Sequence, residues 1–173
     1  ETLFPGVYDV AGAPSIATGT LTLNGNGDPN SLFIIRGAGA FSTATGAIIN
    51  LTNGASSNNI FWMSEAALST AANTIMKGNL VSGAGAIALG ANGSLEGRML
   101  TKAGGLSIGA NSTVTPPSGV SPIDLGILSS FAMFTSSGAA SGDATSTITG
   151  DVGTGEGALT VLGAHYGGQY PAG

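Results

Sequence analysis

Any chemistry this chain performs must come from nine carboxylates, four cations and one histidine. Two carboxylates facing one groove would serve general acid and base work on a glycosidic bond. The acids are dispersed as Glu1, Asp9, Asp28, Glu65, Glu96, Asp124, Asp143, Asp151 and Glu156, and no motif joins any two of them. His165 stands in the Gly-rich tail HYGGQYPAG without a partner motif. No nucleophile elbow, phosphate loop or metal-spaced histidine pair occurs. The lack of cysteine excludes a thiolate metal site and a disulfide framework. The nearest approach to a cation loop is Asn24-Gly25-Asn26-Gly27-Asp28-Pro29-Asn30. It has one carboxylate and lacks the final bidentate acid of a Ca²⁺ loop, so it reads as a tight Asx-type turn. No catalytic residue, metal ligand or cofactor is assigned.

What remains is the chemistry of a repetitive surface. Thr18, Thr20 and Thr22, and again Thr145, Thr147 and Thr149, alternate with other residues as on one side of a strand. Each triplet would space its hydroxyls by two strand steps, about 6.6 to 6.8 Å. Ser42, Ser69, Ala88 and Ser107 are expected to stack into a column of small side chains. A flat face of this kind suits ice, a surface glycan or the packing of one rod on another, and these ten residues are its candidates. Lys77 one coil from Glu96 is expected to form a surface ion pair, and Asn79 over Arg98 a bulky surface pair. Both would interrupt a continuous hydroxyl array.

Stacking of this sort needs a repeat, and the chain has one. Between Leu68 and Thr113 the sequence recurs every nineteen residues: Leu68, Ile87 and Leu106 align, as do Ala72, Ala91 and Ala110, and Asn73, Asn92 and Asn111. Gly78 matches Gly97, and Leu80 matches Met99. Short apolar pieces separated by Gly, Ala and Asn at this period suit one coil of a β-solenoid. Phe41-Ser42-Thr43-Ala44 prefigures Leu68-Ser69-Thr70-Ala71, and Phe33 aligned with Phe61 implies an insertion between those coils. The repeat is expected to reach back to about residue 18 and to stop at Thr115-Pro116-Pro117, since proline does not continue a ladder in mid-sheet. The expected organisation is solenoid coils in 1–115, a Pro/Ser/Gly linker in 116–122, and a completing segment in 123–173. Ile123 to Thr135 is ambiguous between strand and helix, and the tail after Val161 carries no strong signal.

Composition narrows the class. Only 8% of the 173 residues are charged while 42% are apolar, so Ser, Thr, Asn, Gly and Ala must coat the surface, as in extracellular β-rich proteins. A net charge of −5 with only Arg36, Lys77, Arg98 and Lys102 as cations argues against nucleic acid as a partner. No apolar run reaches the roughly 18 residues of a membrane span. The opening ETLFPGVY has no signal-peptide pattern, so a secreted form is expected to have lost its signal.

The phrases PGVY, GTLTLNGNGDPNSLFII, TNGASSNNIFW and KGNLVSGAGAIALGANGSLEGRMLTKAGGLSI together resemble the later part of the microbial ice-binding protein family. Asp124-Leu125-Gly126 with Phe131-Ala132, and Thr147-Ile148-Thr149-Gly150-Asp151-Val152-Gly153, are similar to that family's opening coil. The resemblance implies an all-β, right-handed β-solenoid in circularly permuted order, as if cut from a tandem array. The helix that joins the two parts in the family has no counterpart here. The permuted order suggests that residues 123–163 complete the solenoid of their own chain or of the next. In the second case Leu125, Ile127, Leu128, Phe131, Met133 and Phe134 would mediate head-to-tail self-association. The leading expectation is therefore a secreted or surface-displayed structural protein, a subunit of a filament or adhesin-like array. The alternative is ice binding through the Thr/Ser/Ala face.

Overall fold

The computed structural model describes every residue except Val120, Pro122, Leu162 and Gly173. Among the described residues the chain winds through three parallel sheets, here called A, B and C, of eight, eight and seven strands. Successive strands visit A, then B, then C, and each pairs with the strand one coil away, which makes a three-sided β-solenoid.

The nineteen-residue period is the ladder register itself. Ile87 pairs with Leu106, Leu80 with Met99 and Met76 with Leu95, and all six side chains are buried. Alternation along each short strand sends one set inward, where Leu23, Phe33, Ile49, Trp62, Leu68, Leu80, Ile87 and Met99 are almost wholly covered. Each such side chain contributes about 1.5 to 3 kcal/mol on burial. Trp62 also packs its ring 5.6 Å from Phe41 and donates its indole N–H to the Lys77 carbonyl at 2.8 Å.

Glycine makes the tightest corner. Gly78 has φ +106°, and a Cβ on Gly97 would lie 1.8 Å from the Gly78 carbonyl oxygen, so neither coil accepts a side chain there. At the opposite corner Asn73, Asn92 and Asn111 adopt φ of 59°, 55° and 55°, the left-handed turn that asparagine tolerates. That geometry explains the asparagine column of the repeat.

Several expectations are corrected. The ladder begins at Thr2, which pairs with Thr22, earlier than residue 18; the first coil is too irregular in length to show in the period. Phe33 pairs with Ile60 rather than Phe61, so Phe33 faces the core and Phe61 the outer side of sheet B. Pro116-Pro117 interrupts the sequence period but not the solenoid. The chain leaves sheet A at Thr115, passes through a 3-10 turn at Gly126–Ser130, and re-enters sheet B as Phe131–Ser137, paired with Met99–Ala103. The expected linker 116–122 includes two residues outside the described set. The tail, which carries no local signal, forms strands Ala164–Tyr166 and Gln169–Tyr170, held by Thr147–Thr149 and Asp151–Thr154.

Candidate functional face

Sheet C strands are mostly three residues long, with the flanking residues inward and one residue outward. The outward residues form one unbroken column: Ser15, Ser42, Ser69, Ala88, Ser107, Ser141 and Thr160. Two places before each stand Ala13, Ala40, Ala67, Ala86, Gly105, Ala139 and Ala158. Two places after the first six stand Ala17, Ala44, Ala71, Gly90, Gly109 and Asp143. Apart from Asp143 at one edge, no charged residue occurs in these rows, and no side chain exceeds threonine in the first two. Sequence reasoning found four members of the central column. It missed the two flanking rows, although their residues recur at the same spacing.

Buried hydroxyls hold both edges of this face. On the B side, Ser82 donates to the Ala66 carbonyl at 2.8 Å, Thr101 to Gly85 at 2.9 Å and Thr135 to Gly104 at 2.9 Å. On the A side, Thr74 donates to the Ala71 carbonyl at 2.7 Å and Ser112 to Gly90 at 2.8 Å. Each bond ties a strand end to a neighbouring turn, so sheet C is rigid before anything meets it.

The predicted threonines lie elsewhere, on sheet A. Thr20 and Thr22 belong to strand Thr20–Asn24, and Thr18 precedes it in a bend. Thr147 and Thr149 form a strand face, whereas Thr145 sits in a turn, where its Oγ1 accepts the Asn111 N–H and donates to Asp143 Oδ1 at 2.7 Å. Each triplet therefore has two strand members, because the chain turns a corner at the first. Between the two pairs, sheet A presents Ile48, Ile75, Asn50, Lys77 and Glu96 outward, although Thr113 and Thr115 stand beside the second pair. The ten candidate residues thus occupy two faces.

Lys77 and Glu96 do pair across coils, Nζ to Oε2 at 2.5 Å, and Ser57 donates to Oε1 at 2.7 Å. Partial burial pushes the Glu96 carboxyl up, but the bonds from Lys77 and Ser57 outweigh it and hold the group below its ordinary value. Asn79 over Arg98 is not a surface pair. Both are buried, with Ser129 of the crossing against Arg98 and Asn58 bonded to each of the two. Arg98 donates to Asn79 Oδ1 at 3.1 Å and twice to the Ser129 carbonyl, at 2.7 and 3.2 Å. Asn58 Nδ2 donates to the Ser118 and Gly119 carbonyls, which fastens the other end of the crossing. Of the apolar residues nominated for association, Met133 is fully buried between Met99 and Val152 of its own chain. Phe131 and Phe134 stack edge to face, Leu125 and Leu128 are half-buried, and Ile127 is 87% exposed. His165 contacts the Gly150 carbonyl at 2.9 Å and Gln169 at 3.3 Å. The Asn24–Asn30 loop is closed by Asx contacts, Asn26 N–H to Asn24 Oδ1 and Asn30 N–H to Asp28 Oδ1. Among the described residues no cluster of His, Cys, Asp or Glu suits a metal, and no helix is long and apolar enough to cross a membrane.

The sequence model of the Ice-binding-like family matches residues 1–115. The chain belongs to the ice-binding-like family. Ice-binding protein 1 of Shewanella frigidimarina (strain NCIMB 400) is 44% identical over 80 residues, which are 46% of this chain and 9% of that protein. The ice-binding protein of Nostoc sp. (strain HG1) is 35% identical over 81 residues, 47% of this chain and 29% of that protein. The crystal structure of an ice binding protein from an Antarctic Flavobacteriaceae bacterium superposes with a TM-score of 0.66 at 37% identity, covering 96% of this chain and 43% of that one. The chain thus spans less than half the length of these ice-binding-family relatives.

Proposed function

We propose that this chain adsorbs to ice through sheet C and acts outside the cell, where ice forms. The carrying observation is the face itself: an unbroken column of Ser, Ala and Thr flanked by rows of Ala and Gly. Ice presents water at fixed lattice positions, so a matching surface must be flat, rigid and free of charges that would hold liquid-like hydration. Short side chains leave the regular ladder spacing, about 4.8 Å between strands, to set the pattern, and the bonded edges hold it. Membership of the ice-binding-like family, with relatives named for ice binding, supports the same reading. Sheets A and B suit it less, because they carry Lys77, Glu96, Tyr166, Asp9, Arg36 and Met63 outward.

Thermal hysteresis and crystal shaping test this. Ser69→Tyr places a ring in the centre of sheet C and is expected to remove most of the hysteresis, while Thr115→Tyr on sheet A leaves it near the parent value. Loss in the second variant with retention in the first would overturn the choice of face.

Self-association into filaments is the second reading, favoured by the exposed Ile127, Val7 and Met63. It stands behind ice binding, since the relatives are named for ice and not for assembly. Light scattering at high concentration checks it: a strictly monomeric protein would end it.

A further inference from the structure

Sheet B carries most of the apolar surface that the fold leaves in water. Of the eight large hydrophobic residues exposed among the described residues, Val7, Met63 and Tyr170 turn out from this sheet, and Ile127 stands in the 3-10 turn beside it. One outward row runs Asp9, Arg36, Met63, Val81, Leu100 and Phe134, and its last four members are apolar. A groove of about 500 Å³ opens over those four, with Leu125 and Leu128 of the crossing in its wall.

Charge on this face is arranged about the strand Asn79–Ser82. Ser82 pairs with Ser64 on one side and Thr101 on the other, so Glu65 and Lys102, the next residues along, flank Gly83. Each is one ladder step away, about 4.8 Å. Gly83 donates its N–H to the Ser64 carbonyl at 2.9 Å, and the Glu65 carboxylate leans into space that a side chain at Gly83 would fill. Both charged residues are exposed. The ion pairs among the described residues are Arg36 with Asp9 and Lys77 with Glu96, and neither uses Glu65 or Lys102.

An acid and a base at equal distances on either side of one strand are self-complementary. Turning a second copy over, about an axis along Asn79–Ser82, sets Glu65 of each copy against Lys102 of the other. The same rotation lays Val81 on Val81, Met63 on Leu100, and the Arg36 guanidinium on the Phe134 ring, whose π face attracts a cation. Asp9 meets Gly153, so no like charges oppose one another in this row. Arg98 holds the turn Gly126–Ser130 over the starts of strands Met99–Ala103 and Phe131–Ser137. In the second copy that places Ile127 over Ile34 and Phe61 of the first, which are outward neighbours in sheet B.

We propose that sheet B joins two copies of this chain in a closed two-fold dimer. Its axis lies across the rod, so the two rods run antiparallel and the contact stops at two copies, unlike a filament. An unrelated partner would not require opposite charges at mirrored positions. The overlap is about 29 Å of rod by about 17 Å of strand, roughly 1,000 Å² over both copies. That is the low end of specific interfaces, so the dimer is expected to form at high concentration and to separate on dilution. It does not depend on ice binding, since sheet C is another side of the rod and stays uncovered.

Sedimentation velocity over a range of concentrations tests this on the parent chain, Glu65→Lys, Lys102→Glu and an equimolar mixture of the two variants, with circular-dichroism melting of each to establish folding. The parent is expected to rise from one copy to two and no further. Each variant alone opposes like charges at both contacts and should dimerise about tenfold or more weakly. Their mixture should recover parent-like dimers, because each supplies the charge the other lacks. A parent that stays monomeric or grows past two copies would overturn the proposal, as would parent-like dimers of either variant alone or a mixture as weak as its components. Thermal hysteresis is read on the same parent samples. Its absence beside an intact dimer would remove the ice reading alone, and its presence in a strict monomer would remove the dimer alone.

Discussion

Arg98 illustrates how one side chain serves two distant segments. Its guanidinium is buried without a carboxylate, and burial lowers its pKa from the usual value. Carbonyl and amide oxygens from Asn79 and Ser129 take the place of a counter-ion. Arg98→Met would leave those acceptors unpaired, and we expect a loss of about 3 kcal/mol in urea unfolding. Proteolysis is expected to begin within 116–130, since that segment loses its anchor. Carboxylates set the acid limit. Asp143 is held below its ordinary value by the Thr145 amide and hydroxyl, and Glu96 by bonds that outweigh its burial. The unfolded chain therefore binds more protons in the acid range, so their stabilisation is complete above the ordinary carboxylate pKa of about 4 and is lost as pH falls through the lower folded values. Glu96→Gln should make melting temperature less dependent on pH in that range. Asp143 is exposed and Glu96 partly so, which screens the effect and keeps it small.

At the scale of an element, the coil is defined more by its corners than by its strands. Strands of two to five residues carry little specificity alone, whereas Gly97 over Gly78 and the hydroxyls of Ser82, Thr101 and Thr135 fix where each strand begins. Gly97→Ala forces a methyl group against the Gly78 carbonyl and should destabilise the fold by about 1 to 3 kcal/mol in chemical denaturation. Thr101→Val keeps the shape but leaves the Gly85 carbonyl without its donor, with an expected cost of about 1 to 2 kcal/mol. These corners were half legible. The glycine and asparagine columns stand out in the repeat because no other residue fits those turns well. The hydroxyl ladder does not, since its partners are backbone carbonyls sixteen or thirty-one residues away.

The whole molecule is a rod with three unlike sides. Sheet B is partly apolar, sheet A mixes threonine with charge, and sheet C is small and almost uncharged. Because Asp143 alone among the rows of sheet C titrates, and only at its edge, hysteresis is expected to change little from mildly acidic to mildly alkaline buffer or with moderate salt. A strong salt dependence would point instead to the charged rows of sheet A.

The nineteen-residue period, the turn residues and the scarcity of charge determined the solenoid, since a local pattern repeated at fixed spacing can satisfy its own ladder only by stacking. The Lys77 and Glu96 pair and the column through Ser42, Ser69, Ala88 and Ser107 were legible for the same reason. Tertiary structure alone decided that the threonines and the serine column lie on different sides, because a corner at Thr18 or Thr145 is set by packing and not by alternation. It also decided that Arg98 is buried, that Pro116 does not end the rod, and that the Gly-rich tail forms strands. Each of these depends on a segment from elsewhere in the chain covering or pairing with the residue concerned, and no local spacing records which segment that is.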